Sequence, residues 1–415
     1  MPPRRGRRGG ATTRGRGGAR APRRRAPRCR RGAAARGREL RARADRGRRS
    51  HAGRRAGAPG SPRSPRVGRG TSGIRPHHRR PRPAHAPGRR CVHRRSVGAR
   101  GLIVVARVLC DPTFPLERAR EVLKGAVLEI EHANGPVGGD DVVALLSFEP
   151  VTAADIARLP SLRVIATPSV GFDHVDVEAA TRRGVWVCNV PDYCVEEMAD
   201  HALALLLALV RGVVELDRNV RAGGWEHGAA GPLRRLSDIR LGVIGFGRIG
   251  RALASRARAL GMEVAAHDPL VAGEEIVAAG ARPLELDALL RASTAISVHA
   301  PLTAETRGLV GRDEVALLPE GAYVLNAARA GLVDTAAVLE ALADGHLGGA
   351  ALDVLDVEPP TAEAPAPVAP RLVVNPHAGW YSEEAEVTVF RRAAESVRDV
   401  FEDRPPSGAV NDPSV

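Results

Sequence analysis

The stretch RLGVIGFGRIGRALASRARAL, residues 240–260, decides the fold of this chain. It begins with a short apolar run of strand type, passes through a G-x-G-x-x-G pattern and continues with apolar residues at helical spacing. A strand, a glycine turn and a helix in that order form a site for a pyrophosphate. Gly245 permits the tight turn, Gly247 lets the backbone approach the phosphates, and Gly250 allows close packing of helix and strand.

An acidic residue follows the next apolar run at a characteristic spacing. Residues 262–266 are apolar, and Asp268 lies 18 residues after Gly250. A carboxylate about 20 residues after the glycine motif accepts the ribose hydroxyls and repels a 2′-phosphate, so the sequence favours NAD over NADP. The alternative is that Asp268 is a turn residue before Pro269.

The formal net charge of +15 hides two oppositely charged parts. Residues 1–100 hold 34 Arg and no Lys against Glu39 and Asp45 alone, so this arm carries +32 and the rest of the chain −17. The arm has no Phe, Trp or Tyr, and we expect disorder because it cannot bury enough apolar surface to offset its chain entropy. The acidic remainder gives no reason to expect nucleic-acid binding.

Three explanations compete for the arm: a basic nucleic-acid-binding segment, a targeting peptide, or upstream sequence translated from a wrongly assigned start. We favour the third. The chain has one Lys, Lys124, against 61 Arg, which suggests a GC-rich coding sequence, and such DNA read outside a gene yields Arg, Gly, Pro and Ala. The arm also lacks the aromatic residues that stack on bases. Nucleic acid is therefore not expected as a partner, except through this arm.

Hydropathy and cysteine usage bound the cellular context. No run of about 18 apolar residues is present, so we expect no transmembrane helix. The five cysteines form no C-x-x-C and no metal-binding spacing. We therefore predict no metal site, free thiols and a reducing, cytoplasmic location.

Strand and helix patterns alternate from residue 101 onward. This alternation predicts parallel strands joined by crossover helices, an α/β fold. The first buried strand is expected at residues 102–108. Six strands are expected from residue 240 onward, which is enough for a doubly wound sheet.

Ligands of such sheets bind beyond the carboxyl ends of the strands. Three successive expected strands are followed by an Arg, a Glu and a His: Arg329, Glu358 and His377. A guanidinium holds a carboxylate bidentately and polarises an adjacent carbonyl, so Arg329 is the candidate to fix a 2-oxo acid. Imidazole titrates near neutrality, so His377 is the candidate acid and base, and a nearby Glu358 would orient its protonated ring.

Each of these three residues also has a plain structural interpretation. Arg329 could be a surface residue at a helix start, Glu358 an exposed loop residue, and His377 a cap before the last helix. A cation at a helix start opposes the helix dipole. Because all three follow neighbouring strands, we interpret them together as a reaction centre.

Five motifs in order, GFGRIG, HAPLT, NAARAGLVD, ALDVLDVEP and PHAGW, resemble those of the D-isomer-specific 2-hydroxyacid dehydrogenases. The likeness covers about residues 102–410. It implies two doubly wound parallel-sheet domains, a Rossmann NAD-binding domain inserted into a flavodoxin-like substrate domain, usually in a homodimer. The implied bounds are 1–100 for the arm, 101–199 for the first part of the substrate domain, 200–376 for the NAD-binding domain, and 377–415 for a helix and tail that return to the substrate domain.

The resemblance also implies a set of site residues. The catalytic Arg, Glu and His of the family fall on Arg329, Glu358 and His377. The NAD contacts include Arg248 and Ile249 at the pyrophosphate, and the full set is Gly245, Gly247, Arg248, Ile249, Gly250, Asp268 at the ribose, His299, Ala327, Ala328, Arg329 and Asp353 at the carboxamide. The loop whose backbone amides meet the substrate carboxylate resembles Ser169–Asp173, and the implied substrate-binding residues are Val170, Gly171, Arg329 and Trp380.

Within the family, Asn189–Leu203 and His377–Ala385 look most like the C-terminal-binding-protein branch. In that branch a Trp three residues after the catalytic His lines the substrate pocket. Here that residue is Trp380, and core packing between the domains is the alternative. Three positions depart from the pattern: Ala330 stands where the family usually has Gly, Ala327 where it often has Thr or Ser, and Thr167 where the branch often has Arg.

The sequence thus predicts an NAD-dependent oxidoreductase that interconverts a small 2-oxo acid and a D-2-hydroxy acid. A phosphoglycerate-type or glyoxylate/hydroxypyruvate-type reductase is the alternative among enzymes, although no second basic cluster for a phosphate is evident. An NAD-sensing scaffold that resembles the corepressor branch is the alternative of another class.

Overall fold

The computed structural model describes residues 105–413, which form two parallel β-sheets and their surrounding helices. This confirms the predicted class of two parallel-sheet α/β domains. The arm predicted at residues 1–100 lies outside the described residues. The nucleic-acid binding that was considered for this arm therefore stays untested. Within 105–413 no helix combines the length and apolar character needed to cross a bilayer. The cytoplasmic location stays a prediction.

The first sheet consists of β1 (Ala106–Cys110), β2 (Leu128–His132), β3 (Val142–Leu146), β4 (Val164–Ala166) and β5 (Trp186–Cys188). The strands lie in the order β2-β1-β3-β4-β5, which is the flavodoxin-like arrangement. Helices α1 (Leu116–Val122), α2 (Ala153–Ala157) and α3 (Val177–Arg182) connect them. Successive strand residues such as Val108 and Leu109 enter separate apolar clusters, because neighbouring side chains of a strand point to opposite faces.

Two helices join the first sheet to the second, α4 (Val195–Arg211) and α5 (Val213–Arg221). α4 buries Leu205, Leu206 and Leu209 in the same apolar cluster as strands of the second sheet. It ends at Gly212, which adopts a left-handed conformation that favours glycine. The predicted domain boundary at 199/200 falls inside α4 and stays a prediction.

The second sheet consists of β6 (Arg240–Ile244), β7 (Glu263–His267), β8 (Arg282–Pro283), β9 (Ala295–Val298), β10 (Ala322–Asn326), β11 (Leu347–Leu352) and β12 (Leu372–Val374). The spatial order is β12-β11-β10-β9-β6-β7-β8, and every pair is parallel. The helices between these strands are α6 (Arg248–Ala259), α7 (Gly273–Ala278), α8 (Leu286–Ala292), α9 (Arg312–Leu317) and α10 (Thr335–Ala343). The sheet is doubly wound, with the order reversing at β6 and β9.

Two strands differ from the sequence expectation, because both are edge strands that lack a continuous apolar run. β2 alternates Glu129 and Glu131 with apolar residues, and β8 is two residues long and contains Pro283. The second sheet therefore has seven strands, and the prediction of six strands was wrong. The strand expected at 102–108 runs over Ala106–Cys110 in the described part of the chain.

The last helix, α11 (Glu383–Phe401), returns to the first sheet. Phe390 packs edge-on against Phe114 and Phe148, with ring centroids 4.9 and 5.9 Å apart. The Ser382 hydroxyl caps the helix by accepting from the Ala385 N–H at 3.0 Å. After the helix, Ala409 bridges to Cys188 at the end of β5. The chain thus leaves the first sheet after β5 and re-enters it after β12.

Candidate active site

The strands of the second sheet end in one row. Ile244, His267, Val298, Asn326, Leu352 and Val374 are paired across the sheet, and each is the last residue of its strand. Neighbouring strands lie about 4.8 Å apart. The residues that follow this row form one edge of the sheet, and they are Asp268, Gly245, His299, Ala327, Asp353 and Asn375.

The glycine turn sits in the middle of that edge. Gly245 has φ +91°, and a Cβ there would lie 2.5 Å from the backbone nitrogen of Ala300. A Cβ at Gly250 would overlap the carbonyl oxygen of Gly245, so this position also excludes larger residues. A Cβ at Gly247 would meet no described atom within 4 Å, and α6 begins at the next residue, Arg248. The exposed backbone at the start of α6 is thus open to an anion.

Asp268 contacts the glycine turn directly. Its Oδ2 accepts from the Phe246 N–H at 2.7 Å, and its Oδ1 accepts from the Leu270 N–H at 2.9 Å. The second bond is the turn that the sequence offered as the alternative, and the ribose contact stays a prediction. The carboxylate lies beside the turn that would hold a pyrophosphate.

His299 lies on the other side of the glycine turn. One ring nitrogen, Nε2, is 2.8 Å from the Ser297 hydroxyl. Burial lowers the pKa of His299 to about 4. The imidazole is therefore neutral at pH 7 and adds no charge at this edge.

The loop after β10 carries Arg329 and is fixed by a buried amide. Asn326 is 1% exposed; its Nδ2 donates to the Arg329 carbonyl at 2.8 Å and its Oδ1 accepts from the Ala328 N–H at 3.1 Å. Ala330 then begins a single 3₁₀ turn, and it is not among the described residues with positive φ. Alanine in place of the usual glycine is thus accommodated without backbone strain.

The Arg329 guanidinium reaches a loop of the first sheet. Its Nε donates to Asp173 Oδ1 at 3.0 Å, and its Nη1 donates to the Ala328 carbonyl at 2.9 Å. Its Nη2 lies so close to Gly171 that a Cβ there would overlap it. Two predicted substrate-binding residues, distant in sequence, are therefore in contact.

The loop around Gly171 presents unpaired backbone donors. The Asn189 side chain donates to the Val170 carbonyl at 2.6 Å and fixes the loop from behind. Within the described chain, no acceptor pairs with the backbone N–H of Val170 or of Gly171. Unpaired N–H groups beside a guanidinium suit a carboxylate ligand.

His377 and Glu358 form a hydrogen-bonded pair. His377 Nδ1 lies 2.7 Å from Glu358 Oε2, and Glu358 Oε1 accepts from the Leu355 N–H at 2.6 Å. An ionised carboxylate only accepts, so Nδ1 carries the proton of this bond and Nε2 is left for a ligand. Both side chains are partly exposed, at 42% and 35%.

The loop that carries His377 is anchored by Asp353. The Asp353 carbonyl accepts from the His377 N–H at 2.8 Å, and its two carboxylate oxygens accept from the N–H groups of Ala378 and Gly379 at 2.9 Å each. His201 Nε2 lies 3.3 Å from Asp353 Oδ1. Burial acts to raise the pKa of Asp353, but the nearby His201 ring and the hydrogen bonds from the two backbone groups hold it below its usual value.

This anchoring matters because His377 adopts a strained conformation. Its φ is +53°, in the left-handed region that non-glycine residues rarely adopt. Such a residue costs about 1–3 kcal/mol and persists only where its surroundings enforce it. The three bonds to Asp353 supply that enforcement.

Trp380 packs in an apolar cluster between the two sheets. Its members come from segments next to both sheets: Val170, Tyr193, Cys194, Met198, Ile249, Ala327, Trp380 and Ala385. The ring centroids of Trp380 and Tyr193 are 6.1 Å apart. The packing alternative for Trp380 is therefore observed, and the pocket-lining role stays a prediction.

The remaining predicted residues are distributed along the same edge. Arg248 is exposed at the first position of α6. No hydrogen bond or ion pair in residues 105–413 joins Arg329 to His377 or Glu358; the two groups stand on neighbouring loops, after β10 and after β11 and β12. Sequence reasoning assigned no role to Asp173 or His201. Asp173 was visible as the last residue of the quoted loop, whereas His201 carried no signal inside an apolar helix.

Comparisons with known proteins agree with this geometry. Residues 203–379 match the family described as D-isomer specific 2-hydroxyacid dehydrogenase, NAD binding domain. The glyoxylate reductase of Thermococcus litoralis is 36% identical over 277 residues, which cover 65% of this chain and 83% of that protein. The solved structure of the TT0316 protein from Thermus thermophilus has a TM-score of 0.64 and 37% identity, and the match covers 74% of this chain and 100% of that one. The chain therefore belongs to the D-isomer specific 2-hydroxyacid dehydrogenase family.

Longer relatives match over part of their length. The D-3-phosphoglycerate dehydrogenase of Archaeoglobus fulgidus is 37% identical over 280 residues, which cover 66% of this chain and 52% of that protein. The chain thus spans about half the length of this relative.

We expect Asp353→Asn to lower the free energy of unfolding by about 1–3 kcal/mol, because one oxygen becomes an NH₂ that faces a backbone N–H. Urea unfolding measures this. The control is Asp356→Asn, an exposed carboxylate three residues later. Equal stability of the two variants would contradict the anchoring role.

Proposed function

We propose that this chain is an NAD-dependent oxidoreductase that interconverts a 2-oxo acid and a D-2-hydroxy acid. The observation that carries the proposal is the contact of Arg329 with Gly171, next to unpaired backbone donors, on the same sheet edge as the His377–Glu358 pair. An anion site and a proton-transfer group beside a dinucleotide turn are the parts that this reaction needs.

The residues at the sheet edge fit a dinucleotide. The unobstructed side of Gly247 and the start of α6 suit the pyrophosphate. Asp268, which is bonded to the Phe246 N–H of the glycine turn, is the proposed partner of the ribose. The Asp268 carboxylate supports NAD over NADP because a 2′-phosphate beside it would be repelled. When bound, the reduced cofactor supplies the hydride.

Arg329 would hold and activate the oxo acid. The three N–H donors that remain on its Nη groups, together with the N–H groups of Val170 and Gly171, suit the carboxylate of the substrate. A carboxylate held there has its neighbouring carbonyl within the same positive field, which stabilises the alkoxide that forms at C2.

His377 would supply and remove the proton. Nε2 of the ring protonates the alkoxide oxygen during reduction and accepts the hydroxyl proton during oxidation. Glu358 holds Nδ1, keeps the ring in one orientation and stabilises its protonated form. The partial exposure of the pair lets the ring exchange its proton with water.

The substrate side chain and the branch of the family are the finer parts of this proposal. The names of the relatives support a phosphoglycerate or glyoxylate substrate as the alternative. Trp380, three residues after His377, supports the likeness to the C-terminal-binding-protein branch. Thr167 weighs against a further substrate cation there, because it is fully buried and bonded to Ser169 and His174. The corepressor-like scaffold is the alternative of another class.

The function is tested by NADH and NADPH oxidation with glyoxylate, hydroxypyruvate, pyruvate and phosphohydroxypyruvate. We expect turnover of at least one acid, and a loss of about 10²–10⁴-fold in His377→Asn with NADH affinity retained. His227→Asn, at an exposed position away from the sheet edge, is the control. Tight NADH binding without turnover of any acid would favour the scaffold, and near-normal rates in His377→Asn would refute its role.

We expect Asp268→Asn to reduce the preference for NADH over NADPH by about tenfold, since it removes the charge and keeps an acceptor for the Phe246 N–H. The ratio of kcat/KM for the two cofactors measures this. Asp287→Asn, exposed at the start of α8, is the control. An unchanged ratio would count against the ribose assignment.

We further propose that the chain forms a homodimer through α5. This helix has no buried residue, Val213 and Val220 are about half exposed, and Trp225 is 86% exposed. Val213 and Val220 lie seven residues apart and so share one face of α5, and Trp225 follows the helix. Exposed apolar side chains mark interaction surfaces, and two-fold symmetry pairs identical ones.

Light scattering should give twice the mass of one chain, and Trp225→Ser should shift the molecule toward the monomer. Leu270→Ser is the control, because Leu270 is equally exposed and lies after β7. A monomeric wild type at micromolar concentration would disprove the dimer.

A further inference from the structure

Arg329 is held by a carboxylate from a loop of the first sheet to which the sequence assigned no role. Its Nε donates to Asp173 Oδ1 at 3.0 Å, and the two residues are 156 positions apart. The side chains are 27% and 31% exposed, so the pair is sheltered but not sealed from solvent. One partner follows a strand of the second sheet and the other belongs to a loop of the first.

The ion pair leaves a defined edge of the guanidinium free. Arginine has five N–H donors, of which Nε is given to Asp173 and one on Nη1 to the Ala328 carbonyl. The remaining three are on Nη1 and Nη2, and Nη2 lies against Gly171. A carboxylate is bound bidentately by two such parallel donors.

The loop that bears Asp173 is itself firmly fixed. The Phe172 carbonyl accepts from the Val175 N–H at 3.0 Å, and His174 Nε2 lies 3.1 Å from the hydroxyl of the fully buried Thr167. Burial lowers the pKa of His174, so its ring is neutral and does not compete with Arg329 for the Asp173 carboxylate. A rigid support of this kind can hold one rotamer of a long side chain.

We propose that Asp173 is a positioning residue that acts through Arg329. It holds Nε and thereby turns the Nη edge toward the carboxylate of a 2-oxo acid. The proposal deepens the function proposed above and rests on it for the identity of the ligand. Asp173 does not touch the substrate.

The charge of Asp173 and its hydrogen bond have opposite effects on an anionic ligand. The negative charge repels a second carboxylate, whereas the bond to Nε fixes the donor that binds it. Asp173→Asn removes the charge and keeps an acceptor oxygen, and Asp173→Ala removes both. We expect the fixed donor to dominate because the ion pair neutralises most of the repulsion.

The test is the affinity of the chain's NADH complex for oxamate, an isostere of a 2-oxo acid. We expect Asp173→Ala to weaken oxamate about tenfold and to raise KM for the oxo acid more than it lowers kcat. Asp173→Asn should restore most of the affinity, and NADH affinity should stay unchanged in both. Glu178→Ala, which removes an exposed carboxylate paired with Arg182, is the control for charge.

A double-mutant cycle separates positioning from loop structure. In an Arg329→Lys background, Asp173→Ala should cause no further loss of oxamate affinity, because its effect passes through the guanidinium. A loss of the same size in both backgrounds would overturn the proposal, and so would tighter oxamate binding in Asp173→Ala.

A crystal structure of Asp173→Ala gives a readout that is independent of the reaction. We expect the guanidinium to leave its position against Gly171. If it keeps that position the proposal is wrong, whether or not the chain turns over an oxo acid. If the wild type binds no oxamate, the proposed function fails, while the position of Arg329 still decides the role of Asp173.

Discussion

The common end row of the parallel strands is the constraint on which the site depends. Parallel pairing aligns the last residues of six strands, so that the next residue of each strand emerges at the same edge. The glycine turn, Asp268, His299 and the loops that carry Arg329 and His377 all start there. Side chains drawn from the 133 residues from Gly245 to His377 thereby lie within a few strand widths of one another.

Buried polar side chains then convert this edge into fixed loops. Asn326 holds the turn before Arg329, Asp353 holds the turn of His377, and Asn189 holds the loop of Val170. Leaving such a buried group unpaired costs about 1–3 kcal/mol, so each loop is tied to one conformation. The strain at His377 is sustained by the same means. The groups proposed to react are thus held by neighbours that do not react.

Local patterns predicted the fold because strand, turn and helix signals lie within short windows. The glycine motif and Asp268 were found by spacing alone, since both belong to a single strand–helix–strand unit. The edge strands β2 and β8 were missed because one is rich in Glu and the other is two residues long.

Contacts between distant segments were beyond sequence reasoning. The bond from Arg329 to Asp173 depends on how a loop of the first sheet meets a loop of the second. The approach of His201 to Asp353 likewise depends on the packing of α4. The sequence marked Asp173 only as the end of the predicted substrate loop and His201 not at all, so neither contact could be read from a local pattern.

The central claim is that one carbon atom is held between Arg329, His377 and the nicotinamide. A crystal structure of the chain with NADH and oxamate tests it most directly. The account predicts the oxamate carboxylate on Arg329 and the N–H groups of Val170 and Gly171, with its amide oxygen about 2.6–3.2 Å from His377 Nε2. Oxamate bound away from the guanidinium, or with His377 turned away from it, would contradict the account.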